Sequence, residues 1–311
     1  MRVIAKTGDE DIAVVYIAKS DNGRLIEFVE SIQPPLSREE KWVLMISTLY
    51  GCPIGCKFCD AGGWYKGVLD KNEILWQINY LINNRFPDNS VPVKKFKIQF
   101  ARMGEPSFNP AVIDILEELP ELYDAPGLLP SLSTVAPIGC KNFFEKLLKV
   151  KKNLYPARFQ LQFSIHTTDV EKRNWLIPIR KWSFKEIAEY GKQFFDEDGR
   201  KITLNFALAE DMPVEPEILL EYFNPDIFLI KITPVNPTYS AYKNNITSHI
   251  SSDEREYDIV NHLREVGYEV ILSIGEIMEN YIGSNCGQYI NRYLNSKESL
   301  QNSYTFPLHY I

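Results

Sequence analysis

Val43-Leu44-Met45-Ile46-Ser47-Thr48-Leu49-Tyr50-Gly51-Cys52-Pro53-Ile54-Gly55-Cys56-Lys57-Phe58-Cys59 is the stretch on which the fold turns. A strand-length apolar run, Val43 to Leu49, ends in a loop that two glycines let bend tightly, and the loop presents three thiols at C-x3-C-x2-C spacing. Downstream, apolar runs alternate with helical patterns to about residue 275, the pattern of parallel βα units. Strands are expected at Phe96 to Ala101, Leu129 to Thr134, Phe159 to Ile165, Thr203 to Leu208 and Phe228 to Thr233, with a seventh candidate at Glu269 to Ser273. Helices are expected between them, among them Lys71 to Asn83 and Asn142 to Val150, whose apolar residues gather on one face.

Six such units fit an α/β fold built as an open, partial (β/α)6 barrel. Upstream, Ile12 to Ile17 and Leu25 to Ile32 flank the turn sequence Asp21-Asn22-Gly23 and predict a short N-terminal β-hairpin extension. The expected organisation is therefore an extension over 1–40, the barrel over 41–290 and a tail over 291–311, with no linker that would separate independent domains.

Composition narrows the class. The chain has 311 residues, 45% hydrophobic and 24% charged, which excludes disordered, collagenous and disulfide-scaffold readings. Lysine and arginine (34) against aspartate and glutamate (41) give a net charge of −7, so no global positive field draws the chain to nucleic acid. No apolar stretch is long enough for a membrane span, and Arg2, Lys6, Asp9 and Glu10 interrupt the segment where a signal peptide would be apolar, so a cytoplasmic protein is expected.

Three of the five cysteines crowd into one loop, which in a reducing compartment points to metal rather than disulfides. A 4Fe-4S cluster takes one thiolate per iron, so three cysteines leave one iron open to an outside ligand. A zinc site normally needs four protein ligands, and His166, His249, His262 and His309 lie far along the chain without paired spacing. A trio of buried free cysteines is the remaining alternative.

Polar groups recur at the carboxyl ends of the expected strands, where barrel enzymes place their sites. The second strand ends in Arg102-Met103-Gly104-Glu105-Pro106, the third in Ser131-Leu132-Ser133-Thr134, the fourth in Ser164-Ile165-His166-Thr167 and the sixth in Thr233-Pro234-Val235-Asn236-Pro237. Taken singly, each reads as a helix cap, a turn or a satisfied core histidine. The charges at Lys172, Arg173, Arg180 and Lys181 read first as a solvated face and second as a contact for substrate phosphate. Cys286, in Gly283-Ser284-Asn285-Cys286-Gly287-Gln288, belongs to a polar, glycine-flanked loop, and accessible thiolates are the reactive ones.

The CxxxCxxC motif with an aromatic before its third cysteine, at the end of a first strand, resembles the radical S-adenosylmethionine (SAM) superfamily. The strand-end motifs together with Cys286-Gly287-Gln288 resemble one subfamily, the RlmN and Cfr adenosine methyltransferases, over about Val43 to Gln288. That resemblance implies a radical SAM barrel in which Cys52, Cys56 and Cys59 hold a 4Fe-4S cluster and the methionine end of SAM chelates the fourth iron. It implies that Gly104 and Glu105 contact that end of SAM, that Ser133, Ser164 and His166 line its pocket, and that Asn236 holds the ribose or sulfonium region. It also implies that Cys286 carries a methyl group from one SAM, that a second SAM supplies a 5′-deoxyadenosyl radical, and that an electron donor such as flavodoxin or ferredoxin feeds the cluster.

Two departures bear on this expectation. The subfamily's resolving cysteine, seven residues before the first cluster cysteine, is Met45 here, and a thioether cannot take part in thiol exchange. Cys140, expected to open a helix and so to have a lowered pKa, is one replacement; an external thiol is another. The subfamily also carries a separate N-terminal RNA-binding domain, where about forty residues precede the core here; with the acidic balance, this makes RNA a disfavoured substrate. The leading expectation is a radical SAM enzyme, with methyl transfer through Cys286. The alternatives are radical modification of a small molecule or peptide without a methyl-cysteine, and a non-catalytic iron-sulfur protein.

Overall fold

The computed structural model describes residues 1–249, 257–273, 277–284, 288–294, 300 and 303–311. β1 (Arg2–Asp9), β2 (Ala13–Lys19) and β3 (Leu25–Ser31) form an antiparallel meander that continues through β4 (Lys41–Ile46) into β5 (Lys95–Phe100), β6 (Leu128–Thr134), β7 (Gln160–Ser164), β8 (Ile202–Leu208), β9 (Phe228–Pro234) and β10 (Val270–Leu272). From β4 to β10 every neighbouring pair is parallel and follows chain order. The sheet is open, with β10 at one edge and β11 (His309–Tyr310), paired to β1, at the other. All six strands expected from the sequence and the seventh candidate are thus present.

The connections are helical: α1 (Lys71–Arg85), α2 (Ala111–Leu122), α3 (Lys141–Leu154), α4 (Val170–Leu176), α5 (Phe184–Phe194), α6 (Pro216–Tyr222), α7 (Tyr239–Lys243), α8 (Asp258–Glu265), α9 (Ile277–Ile282) and α10 (Tyr289–Leu294). Local chemistry fixes the starts of the longer ones. Asp70 and Glu73 close a capping box on α1, and Ser183 and Glu186 do the same on α5, satisfying amides that a helix start leaves unpaired. Among the described residues, no helix is long and apolar enough to cross a membrane.

Period-two alternation sorts the strand residues into two layers. Trp42, Leu44 and Ile46 of β4 and Phe96, Ile98 and Phe100 of β5 pack with Ile74, Ile78, Val112 and Phe144 of the outer helices. Between them, Lys95, Lys97 and Gln99 face the other side of the sheet. On that side, Val15, Ile17 and Val29 of the meander pack against Ile282, Tyr289, Ile290 and Tyr304, so the carboxyl-terminal segments cover the first strands. The β2–β3 hairpin matches its expected turn, with Gly23 at φ +78°. β1 and β11 extend the hairpin beyond that expectation, and the pairing of β3 with β4 makes the meander part of the main sheet.

Candidate active site

The loop after β4 is bent at Gly51 and Gly55, with φ of +75° and +69°. A side chain at Gly51 would also meet the Trp64 backbone at 3.0 Å. The Cys52 amide donates to Ala61 O (2.7 Å) and the Cys59 amide to Cys56 O (3.1 Å), which fold the three cysteines into one compact turn. Neighbouring elements clamp it from two sides. The Lys57 amide donates to Leu176 O at the end of α4 (2.9 Å); Thr238 Oγ1, the cap of α7, donates to Phe58 O (2.7 Å), and Asn244 Nδ2 donates to Lys57 O (2.8 Å).

Asp60, which follows the third cysteine, is buried and accepts from three donors. The Ser240 and Tyr239 amides reach it at 2.8 and 3.2 Å, and the Tyr304 hydroxyl at 2.9 Å. Burial, then the Asp60 charge, push the Tyr304 phenol well above its ordinary pKa, so it remains a donor. This residue was missed in the sequence, although its place beside Cys59 was the available signal.

All three thiols are partly accessible. Burial raises the Cys52 thiol to about 11, opposed by the Ile54, Gly55 and Glu105 backbone N–H groups. Cys56 is raised further, first by burial and then by Cys59, Cys52 and Glu105. A bound cation reverses this balance by favouring thiolates, and the amides around Cys52 are placed to support that charge. Among the described residues, no three His, Cys, Asp or Glu side chains converge as they do around a single ion. A 4Fe-4S cluster takes each thiolate on a different iron, so the three-thiol donor set fits it without such convergence.

Glu105 lies across from this loop. Its Oε1 accepts from Thr134 Oγ1 (2.5 Å), Ser107 Oγ (2.7 Å) and the Ser107 amide (3.1 Å), and its Oε2 from the Val135 amide (2.9 Å). Burial is the larger effect on its pKa and raises it, while these four donors favour the carboxylate. Oε2, with a single donor among the described residues, keeps capacity for another, such as an ammonium group. Gly104 takes φ +101°, and a Cβ there would stand 2.5 Å from Leu49 Cγ, so glycine is what brings this turn against the cysteine loop. The Cys140 pKa is raised, not lowered: burial is the largest cause and the Glu105 charge adds to it, despite its place at the start of α3.

His166 packs edge-on against Phe58, the aromatic between the cysteines, at 4.9 Å between centroids. Its Nδ1 accepts from the Ala207 amide (2.9 Å), which assigns the proton to Nε2, and burial lowers its pKa to about 3. Its φ of +66° is rare for a non-glycine residue. Ser133, Ser164 and Asn236 are half-buried at the ends of β6, β7 and β9, at the same end of the sheet as the cysteine loop. Ser133 accepts from Gln99 Nε2 at 3.5 Å.

The charges at 172–181 do not form the solvated face expected of them. Arg173 is buried, donating to Trp182 O (2.9 Å) and lying 5.1 Å over the Phe184 ring; Lys181 is also buried and donates to Asn174 Oδ1 and to Ile177 O and Ile179 O. Arg180 is exposed, as is the nearby Trp175.

Cys286 lies outside the described residues. The residues flanking it in sequence are anchored to Arg102 at the end of β5: Arg102 donates to Ser284 O (2.8 Å) and Gly283 O (3.1 Å), and Gln288 Nε2 donates to Arg102 O (3.5 Å). Arg102 in turn pairs with Glu27 at 2.6 Å, both side chains being fully buried. Met45, at the position of the subfamily's resolving thiol, is half-buried on β4 beside Val29 and Gln99.

The fold has a solved counterpart, the crystal structure of a radical SAM methyltransferase from Sphaerobacter thermophilus. It superposes with a TM-score of 0.69 over 92% of this chain and 80% of that one, at 20% identity. Sequence comparison finds relatives as well. The chain is similar to the RlmN proteins. It is 27% identical over 241 residues to a probable dual-specificity RNA methyltransferase RlmN of Pseudothermotoga lettingae, covering 75% of this chain and 65% of that one. It is 28% identical over 237 residues to the RlmN of Rhodococcus opacus, covering 71% and 60%. The chain therefore spans less than two thirds of the length of these RlmN relatives. No family model matches it.

Proposed function

We propose that this chain is a radical SAM enzyme that holds a 4Fe-4S cluster on Cys52, Cys56 and Cys59, cleaves SAM reductively and passes a methyl carbon through Cys286. The observation that carries the reading is the meeting, at one end of the parallel strands, of the three-thiol loop, the Glu105 carboxylate and His166. In this reading the seven parallel strands are a partial barrel, 41–290 is the catalytic unit, 1–40 is an N-terminal extension and 291–311 a C-terminal tail. A bound cluster supplies the electron for SAM cleavage.

The chain's own groups have separable tasks. Glu105 Oε2 accepts the methionine ammonium and Gly104 allows its close approach; Ser133, Ser164 and Asn236 offer hydroxyl and amide partners to the rest of SAM. His166, neutral at physiological pH, donates only from Nε2 and braces Phe58 beneath the cluster loop. Cys286 Sγ, as the thiolate, would attack the sulfonium methyl carbon of one SAM: the new S–CH3 bond forms on Cys286 as the sulfonium S–CH3 bond breaks, and its electron pair leaves with S-adenosylhomocysteine. RNA, named for the relatives, is the substrate to test first: exposed Trp175 and Arg180 stand on and beside α4, the helix that clamps the cysteine loop, where bases stack and phosphates pair. The reading includes a cytoplasmic location and a flavodoxin- or ferredoxin-like electron donor.

The test is anaerobic cluster loading, incubation with SAM and dithionite, and peptide mass spectrometry across Cys286 beside a Cys286→Ala control. The expected result is 5′-deoxyadenosine formation and one methyl on Cys286. A loaded protein that fails to cleave SAM overturns the enzyme reading. Cleavage with an unmodified Cys286 overturns the carrier and leaves radical modification without a methyl-cysteine.

A further inference from the structure

The amino-terminal half of the parallel strands carries a concentration of positive charge that the reading above does not use. Lys41 and Lys95 open β4 and β5 and stand directly opposite each other in register, and Lys97 follows on the same face of β5. Lys231 of β9 reaches the group from across the sheet, and Arg200, just before β8, adds a fifth cation. Like charges in paired positions on adjacent strands repel, and a chain of net charge −7 has ample acid to neutralise them. Yet Lys97, among the described residues, has no ion-pair or hydrogen-bond partner, and the side-chain bond from Lys41 goes to the neutral amide of Gln33. The acid that acts on Lys41 is Glu279 of α9.

Burial, reinforced by the neighbouring cations, depresses the Lys97 ammonium well below its ordinary pKa and the Lys41 ammonium to about 8. Both residues nonetheless keep part of their surface accessible. The next layer along the strands is polar and uncharged: Gln99 Nε2 donates to Ser133 Oγ (3.5 Å) and Gln162 Nε2 to Ser131 Oγ (3.3 Å). Lysines are point charges that suit phosphate, and amide and hydroxyl groups complete the shell of a dianion.

We propose that Lys97, Lys41 and Lys95 form an anion site on the face of the sheet turned away from α1, α2 and α3 that binds a phosphate dianion, free or as the monoester of a small molecule. The site is at the opposite end of the strands from the cysteine loop, and its occupation needs neither cluster nor SAM, so its test is independent of the radical reading.

The experiment is calorimetric titration of the full chain with inorganic phosphate and with ribose 5-phosphate, repeated on Lys97→Met and Lys41→Met, with thermal denaturation in the presence and absence of phosphate. The wild-type chain is expected to bind, and each variant to bind at least about tenfold more weakly. Phosphate is expected to raise the wild-type melting temperature by linkage and to leave that of Lys97→Met unmoved. In phosphate-free buffer Lys97→Met is expected to melt above wild type, because a repelled, unpaired cation is gone. Tighter binding of ribose 5-phosphate than of phosphate identifies a monoester as the ligand, and equal binding identifies free phosphate. No wild-type binding up to about 10 mM, or equal binding by both variants, overturns the site.

Discussion

His166 shows how one side chain couples the fold to pH. Held neutral by burial and by the Ala207 amide on Nδ1, it has a folded-state pKa of about 3 against about 6.5 for an unfolded histidine. Between those values the unfolded chain binds a proton that the folded chain refuses. Stability from this residue is therefore complete above about pH 6.5 and falls, by up to about 1.4 kcal/mol per pH unit, as the pH drops below it. His166→Asn keeps an acceptor for the Ala207 amide and tolerates the positive φ, but cannot titrate. Urea midpoints at pH 7.5, 6.5 and 5.5 are expected to decline more steeply for wild type than for this variant; parallel declines would place the acid sensitivity elsewhere. Sequence inspection picks out His166 by its strand-end position, but its neutrality depends on an amide forty-one residues away.

At the scale of elements, the cysteine loop is held by what surrounds it. Asp60→Ala removes the acceptor of the Tyr239 and Ser240 amides and of the Tyr304 hydroxyl, each buried donor left unpaired costing about 1–3 kcal/mol. The predicted result is a loop that no longer presents Cys59 in place, seen as low iron per chain after anaerobic reconstitution; Tyr304→Phe, which removes one donor, should retain most of the iron. Equal iron in all three proteins would show that the clamp does not matter to the loop. Much of this scale is legible in advance. Period-two runs such as Phe96-Lys97-Ile98-Gln99-Phe100 announce strands, and the one-sided apolar residues of Lys71 to Asn83 announce α1. β1 was not legible, because RVIAKTGD lacks a clear apolar alternation and becomes a strand by pairing with β2 and β11. The charge run at 172–181 misled for the converse reason: Arg173 and Lys181 find backbone carbonyls that only the folded chain provides.

Over the whole molecule, the Glu27–Arg102 pair joins three parts of the chain that are distant in sequence. Glu27 belongs to the meander, Arg102 to the end of β5, and both hold the carboxyl-terminal segment, Arg102 through Gly283 O and Ser284 O and Glu27 through the Ile290 amide. Nothing in the sequence marks a buried ion pair, since each residue reads locally as a surface charge. Breaking one side of such a pair costs about 3–5 kcal/mol, because the remaining charge is stranded. The two ways of breaking it should differ with pH. In Arg102→Met the stranded group is a carboxylate whose pKa burial already raises, so it can escape by protonation; the deficit relative to wild type is expected to be largest at pH 7.5 and to shrink toward pH 5.5. In Glu27→Gln the stranded group is a guanidinium that stays charged throughout, so the deficit should be constant over the same range. Chemical denaturation of both variants at the two pH values checks this, and a pH-independent deficit in Arg102→Met would mean that Glu27 does not carry the charge assigned to it. If the pair also couples the parts, hydrogen exchange at the Ile290 amide should accelerate in Arg102→Met even though its own acceptor, Glu27, is still present.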